Sequence, residues 1–335
     1  MNIVYSSSDS YSELCGISIT SVCENNKDVD GISFYVIDNG ISIDNKKRLE
    51  KTVERYSRSI IFVPKIDLQS LTQTSIYVGR WNIGTFFRLY LASLLPKGID
   101  RVAYIDCDTI IRHSLKDVYD IDLKDCVVAG VDDCRSGLYR IDINCQNDDL
   151  YVNNGFLIID LQKMREEKLE DSFTQFISQR KGDCTYMDQA PLNGVLVPQG
   201  KVLELPAIYN AQRIFFDFKY QELLKLRRPS RCLSEDEYHQ AVNDPVLVHF
   251  TPVFISGSRP WQKKDKHPFR NEYLMYKSIS EWKDEPLRKD DRKLPKKIMT
   301  IVLKMMPRRL MIKIMSYLHA VWYPKKRIKI SEKNR

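Results

Sequence analysis

The stretch RVAYIDCDTII, Arg101 to Ile111, ends a run of strand-forming residues in two aspartates one position apart. Side chains alternate across an extended chain, so Asp106 and Asp108 share one face while Cys107 takes the other. Two adjacent carboxylates repel unless a divalent cation, a basic side chain or a proton lies between them. What stands on either side of this run decides the fold.

Upstream, strand and helix signals alternate. NIVYSS reads as a strand, and YSELCGISITSVCENN as a helix with Leu14, Ile17, Ser18, Ser21 and Val22 along one side. GISFYVID is a second strand. DNKKRLEKTVERYS is a charged helix with Asp44 as its expected N-cap. SIIFVP is a third strand, stopped at Pro64, and GTFFRLYLASLL a buried helix ending before Pro96. Strands separated by helices imply a parallel sheet covered on both faces. Such sheets bind ligands beyond the carboxyl ends of their strands. Asp106, Asp108 and the turn SSSDS after the first strand all open on that edge.

Downstream the pattern loosens after CVVAGVDD into an irregular polar stretch reaching about Asp149. YVNNGFLIIDLQKMREE reads as a turn, a strand and a helix start, with the glycine freeing the backbone to turn. FTQFISQRK is helical, YMDQAPLNGVL a short helix with Asp188 at its start, and PVLVHF a last strand ending at His249.

Charge divides the chain. Of the formal +8 of all 335 residues, Pro286 to Arg335 holds +13, from 16 Lys+Arg against 3 Asp+Glu, leaving −5 elsewhere. A mildly acidic body argues against nucleic acid as partner, and a basic tail suggests an anionic surface. The tail segments KKIMTIVLKMM and RRLMIKIMSYLHAVWYPKKR, split by Pro307, read as short amphipathic helices. Leu310, Ile314, Tyr317 and Val321 share a face there, with Trp322 and Tyr323 near its end. That is the composition of a helix lying in the interface of an anionic membrane; the alternative is packing on the domain with a solvated basic face.

No stretch reaches the length of a membrane span. The eight cysteines form no CxxC pair, so free thiols are expected rather than a zinc or disulfide framework. The start MNIVYSSSDS lacks the features of a signal peptide, and the expected location is the cytoplasm.

Several residues stand out as candidates for chemistry. His249 could join Asp106 and Asp108 around a manganese-like ion, leaving positions for phosphate oxygens. Arg88 is a cation inside an apolar run and needs an anionic partner. Arg259, in SGSRPW, has the small neighbours of a phosphate-gripping loop. Asn153 and Asn154 offer amides to sugar hydroxyls, and Asp188 beside Gln189 is either an acid at a site or an N-cap.

These blocks, taken in order from NIVYSSSDS to VHF…GSRPW, resemble glycosyltransferase family 8, most closely its bacterial lipooligosaccharide branch. The resemblance covers most of residues 1–262. It implies a single Rossmann-like, GT-A type α/β domain with a mixed, mainly parallel sheet. It also implies retaining transfer of galactose or glucose from a UDP-sugar, with Mn²⁺ (or Mg²⁺) as cofactor and a glycan or glycolipid acceptor. By position, Asp106, Asp108 and His249 match the metal ligands. Asp188, Gln189 and Arg88 match the catalytic residues. Ser6, Ser8, Asp9, Tyr11, Asp106, Cys107, Asp132, Asn153, Asn154, Gly257 and Arg259 match positions around the donor.

The expected organisation is a catalytic domain over 1–265, a polar linker and helix over 266–295, and a membrane-association tail over 296–335. That tail is similar to the family's peripheral anchor, which places the enzyme on the cytoplasmic face of the membrane. Three departures from the family pattern stand out. Ser8 replaces a frequent acid, the loop from His249 to Gly257 is longer, and Arg259 replaces lysine. Two other readings compete: a sugar nucleotidyltransferase or metal phosphohydrolase, and a non-catalytic membrane-bound UDP-sugar-binding protein. A nucleotidyltransferase would usually carry a glycine-rich basic loop after the first strand, where this chain has SSSDSYSE.

Overall fold

Strand β1 (Asn2–Ser7) divides its side chains between two apolar cores, Ile3 and Tyr5 facing one and Val4 the other. The computed structural model, which describes residues 1–77, 83–290 and 292–334, repeats that alternation across a central sheet. In β4 (Arg101–Ile105), Ala103 and Ile105 enter the first core and Val102 and Tyr104 the second. Burial on both faces is what a strand between helical layers requires.

The sheet runs β3-β2-β1-β4-β7-β6-β8, with β2 at Ser33–Asp38, β3 at Ser59–Pro64, β6 at Val128–Asp132, β7 at Val152–Asp160 and β8 at Val202–Glu204. The four strands β3, β2, β1 and β4 are parallel, and β7 is antiparallel to both β4 and β6. The mixed, mainly parallel α/β sheet is therefore present. A second sheet joins β5 (Thr109–Ile111), β10 (Leu247–His249) and β9 (Ala211–Gln212), with β10 in the middle. Its register sets His249 opposite Thr109, which brings His249 back to the Asp106–Asp108 turn across about half the chain.

Four local expectations change. The charged helix Ile43–Glu54 is capped by Ser42, whose side chain accepts the Asn45 amide, while Asp44 lies inside the first turn. The GTFFRLYLASLL run is a 3-10 helix over Ile83–Tyr90 followed by one turn of α-helix, Leu91–Leu94. Within it Arg88 Nε takes the Thr85 carbonyl, which a regular α-helix would offer to the Leu89 amide. The stretch expected to be irregular contains the helix Gly137–Asp142. Finally, Asn153, Asn154 and Gly155 lie inside β7, not in a turn.

The tail forms helices Leu294–Met305 and Arg308–Ser316, a π-helical stretch Tyr317–Trp322, and a helix Tyr323–Asn334. Pro307, with no amide to donate, marks the break. One side packs on the body: Met311, Ile312 and Met315 are buried. Ser316 Oγ receives Arg228 Nε at 2.7 Å, Arg327 pairs with Asp183 at 2.7 Å, and Ser331 Oγ reaches Asp142 at 2.7 Å. The other side keeps Leu310, Ile314 and Tyr317 exposed. Among the described residues no helix is long and apolar enough to cross a membrane, and all eight cysteines are free.

Candidate active site

β4 ends at Ile105 and the chain turns through Asp106–Asp108 into β5, so both carboxylates emerge at the carboxyl edge of the sheet. The Cys107 thiol lies on the opposite side, buried, near the Ser6 carbonyl at 3.3 Å. Cys107 can therefore offer the site its backbone but not its sulfur.

Ligand atoms of Asp106, Asp108 and His249 lie within 4.8 Å of one another. His249 Nε2 is 3.3 Å from Asp108 and 3.7 Å from Asp106. Its orientation comes from behind, because Nδ1 is 2.9 Å from the Asn210 amide oxygen. Asn210 in turn donates to Asn153 Oδ1 at 2.9 Å, an oxygen that also receives the Gly155 amide at 3.0 Å. A hydrogen bond at Nδ1 holds Nε2 toward the carboxylates, as metal-ligating histidines are usually held. Gly155 serves this approach: a Cβ there would sit 2.1 Å from the His249 ring. The glycine makes room for an imidazole instead of turning the chain.

Burial disfavours charge on His249, yet Asp108 outweighs it and raises the imidazole pKa above its ordinary value. Asp108 is likewise desolvated, but His249 and Arg259 hold its pKa below the usual range. Two carboxylates and one imidazole form an oxygen–oxygen–nitrogen set that suits a Mn²⁺- or Mg²⁺-like cation.

Buried Arg88 joins this cluster to the next one. Its Nη2 donates to Asp106 at 2.9 Å, its Nε lies 3.1 Å from Asp188, and its Nη1 donates to the Asn154 carbonyl. The guanidinium also stacks 4.2 Å over the Tyr104 ring. Despite burial, Asp106 and Asp188 push the Arg88 pKa still higher, so it stays charged. Asp188 accepts from Asn154 Nδ2 at 2.6 Å and makes no capping bond to its own helix, Gln189–Leu196. Burial raises its pKa, with Arg88 opposing. The preceding Tyr186 and Met187 both adopt left-handed backbone, at φ 57° and 59°. Such non-glycine conformations cost about 1–3 kcal/mol each and cluster at functional sites. Here they turn the chain so that Asp188 and Gln189 face the sheet edge.

Gln189 donates to Asp133 at 2.9 Å, and Asp133 pairs with Arg135 at 2.6 Å. The sequence reading named Asp132, which instead faces Arg140 at 3.5 Å and Arg231 at 3.4 Å. Strand β6 ends at Asp132, and Asp133 is the first residue past it, its amide bonded to the Tyr151 carbonyl at 2.9 Å. Asp133 and Asn210 join this network without having been singled out in the sequence, and Gly155, read there as a turn former, instead makes room for the His249 ring.

Arg259 Nη1 donates to Asp108 at 2.8 Å, and its guanidinium lies 5.2 Å over Trp261. Gly257, at φ +69°, bends the loop before it. On the β1 side, Ser6 Oγ donates to the Gly84 carbonyl and the Ser8 carbonyl receives the Tyr11 amide. Asp9 accepts from the Ser42 amide and Asn45 Nδ2, both at 2.8 Å, bonds that lower its pKa and tie the turn to helix Ile43–Glu54. The Tyr11 ring is partly exposed, near Asp108 and Arg259.

A covered, mainly parallel sheet with paired aspartates and a histidine at its carboxyl edge is the architecture of a glycosyltransferase of the nucleotide-binding α/β type. The chain belongs to glycosyl transferase family 8, whose model matches residues 2–265. It is similar to general stress protein A of Bacillus subtilis (strain 168), 30% identical over 285 residues covering 84% of this chain and 94% of that protein. A lipopolysaccharide 1,2-glucosyltransferase of Escherichia coli (strain K12) is 24% identical over 291 residues, covering 85% of this chain and 80% of that one. Among solved structures, the galactosyltransferase LgtC with donor and acceptor sugar analogues superposes at a TM-score of 0.70, with 22% identity, covering 84% of this chain and 96% of that one. The protein is a glycosyltransferase, and neither the nucleotidyltransferase or phosphohydrolase reading nor the non-catalytic one is favoured.

Proposed function

We propose that the protein transfers galactose or glucose from a UDP-sugar to a lipid-linked glycan of the lipopolysaccharide type, with retention at the anomeric carbon, while attached to the cytoplasmic face of a membrane. The observation that carries this reading is Arg88. One buried guanidinium bonds Asp106, a candidate metal ligand, and Asp188, the acid expected beneath the sugar. Groups suited to the diphosphate and to the hexose are thus held in one network. A glucosyltransferase and a galactosyltransferase among the relatives support a hexose without choosing between the two.

Asp106, Asp108 and His249 would hold Mn²⁺, or Mg²⁺ in its place; a bound cation neutralises negative charge developing on the departing UDP. The remaining work falls to side chains. Arg259 presents a planar, two-pronged donor to phosphate oxygens, a geometry lysine cannot supply. Breaking the glycosyl–phosphate bond leaves positive charge on the sugar. A fixed carboxylate at Asp188, paired with Arg88 and oriented by Asn154, stabilises that charge. Gln189, steadied by Asp133, is placed to orient sugar hydroxyls or the acceptor. In the tail, the exposed apolar Leu310, Ile314 and Tyr317 among basic residues support peripheral attachment.

The test is UDP release from UDP-galactose and UDP-glucose with Mn²⁺ and no acceptor. Faster release from one sugar names the donor. No release from either, together with no Mn²⁺-dependent binding of UDP, would overturn the proposal.

A further inference from the structure

The helix Leu294–Met305 lies against the loop that leads from His249 to Arg259. Thr300 Oγ1 approaches the Phe254 carbonyl at 3.5 Å, and Lys304 Nζ the Ser256 carbonyl at 3.4 Å. Arg292 closes over Gly257, where a Cβ would come within 2.3 Å of its guanidinium. Beneath this contact is a cavity of about 400 Å³, with Ser256, Ser258, Lys264, Lys266, Lys304 and Arg308 in its lining.

The charges in its wall are not balanced. Arg213, at the base, is neutralised by Asp265 at 2.7 Å and Asp217 at 3.3 Å, and Arg308 by Glu222 at 2.6 Å. Lys264, Lys266 and Lys304 form no ion pair among the described residues. Against Arg213 and Arg308 stand three carboxylates, so the three ammonium groups leave the wall with a net charge of about +2, which attracts a phosphate-sized anion.

The rest of the wall decides the source of that anion. Leu303, Met306 and Met311 line the cavity with apolar surface. On the same helix Ile301, Val302 and Met305 are 57%, 51% and 81% exposed. A free phosphate has no use for apolar borders, whereas a phospholipid would place its headgroup among the lysines and its chains along this edge. We infer that the cavity between the His249–Arg259 loop and the tail binds the phosphate of an anionic phospholipid. The site would set the depth and orientation of the tail at the membrane. This inference rests on the peripheral attachment proposed above and is independent of whether sugar is transferred.

The test is flotation of the full chain with phosphatidylcholine vesicles, with and without phosphatidylglycerol. Wild type is expected to follow the anionic vesicles. Lys264→Gln/Lys266→Gln should weaken that binding about tenfold more than Lys325→Gln/Lys329→Gln, which removes equal charge from the tail outside the cavity and so loses diffuse attraction alone. Equal losses in the two variants would leave attachment intact and overturn the cavity as a site. Absence of binding by wild type would remove peripheral attachment and this inference together. Saturable, Lys264-dependent binding of inorganic phosphate with no preference for anionic vesicles would overturn the lipid as ligand.

Discussion

At the carboxyl edge of the sheet, charges are locked in place: Arg88 spans Asp106 and Asp188, Arg259 covers Asp108, and Asn210 holds His249 from behind. Along the helix Leu294–Met305 the arrangement is reversed. Leu294, Ile301 and Met305 face solvent, and Lys304 makes only a long contact to a carbonyl. A buried network is suited to a ligand of one shape, because each group is already oriented when the ligand arrives. An exposed amphipathic face is suited to a surface with no fixed shape, because area and charge density govern its binding.

Four variants probe that contrast. The largest effect is expected at Asp188→Asn, which keeps the shape but removes the charge facing Arg88. Donor hydrolysis should fall on the order of 10²–10³-fold, as measured by UDP release, with little change in UDP affinity. Gly155→Ala comes next, since its methyl would occupy the place of the His249 ring. Thermal melting should drop, and Mn²⁺-dependent UDP binding should be lost even where the protein folds. Asn210→Ala leaves the His249 ring free to rotate and should weaken Mn²⁺ dependence about 10–100-fold in a metal titration. Unchanged affinity there would mean the hydrogen bond from behind is not what orients the imidazole.

The smallest effect on catalysis is expected from Ile301→Ser/Met305→Ser. These residues are exposed, so stability and UDP release from a soluble donor should stay near wild type. Vesicle binding, in contrast, should fall about tenfold or more, since each side chain loses roughly 1.5–3 kcal/mol of apolar burial at most. Loss of UDP release in that variant would show that the two regions are not separate.

The contrast also separates what could be read from the chain from what could not. In β1, β2 and β3 each strand announces itself, and so do the helices after β1 and β2, so most of the parallel half was legible from residues a few positions apart, while the short helix Leu68–Thr72 after β3 was not. Asp106, Asp108 and His249 were found because each ends an apolar run. Asp133 was missed because Asp132 and Asp133 are equivalent in sequence, and only the partners that the fold brings to each, Gln189 and Arg135 to Asp133, Arg140 and Arg231 to Asp132, tell them apart. Gly155 was seen but misread: a glycine that permits a turn and one that admits a distant ring look alike without their partner. Asn210 lies 39 residues from His249 and carries no local signal. In the tail, the exposed face was legible as a pattern, while the side packed on the body was not, since its partners Asp142, Asp183 and Arg228 lie far along the chain.

The most direct test of the site as a metal-dependent nucleotide centre is calorimetric titration of UDP into wild type and Asp106→Asn, with Mn²⁺ and again with chelator. Saturable binding by wild type with Mn²⁺, lost with chelator and lost in Asp106→Asn, is the predicted result. Equal binding of UDP in chelator, or undiminished binding by Asp106→Asn, would contradict the role given to Asp106, Asp108 and His249.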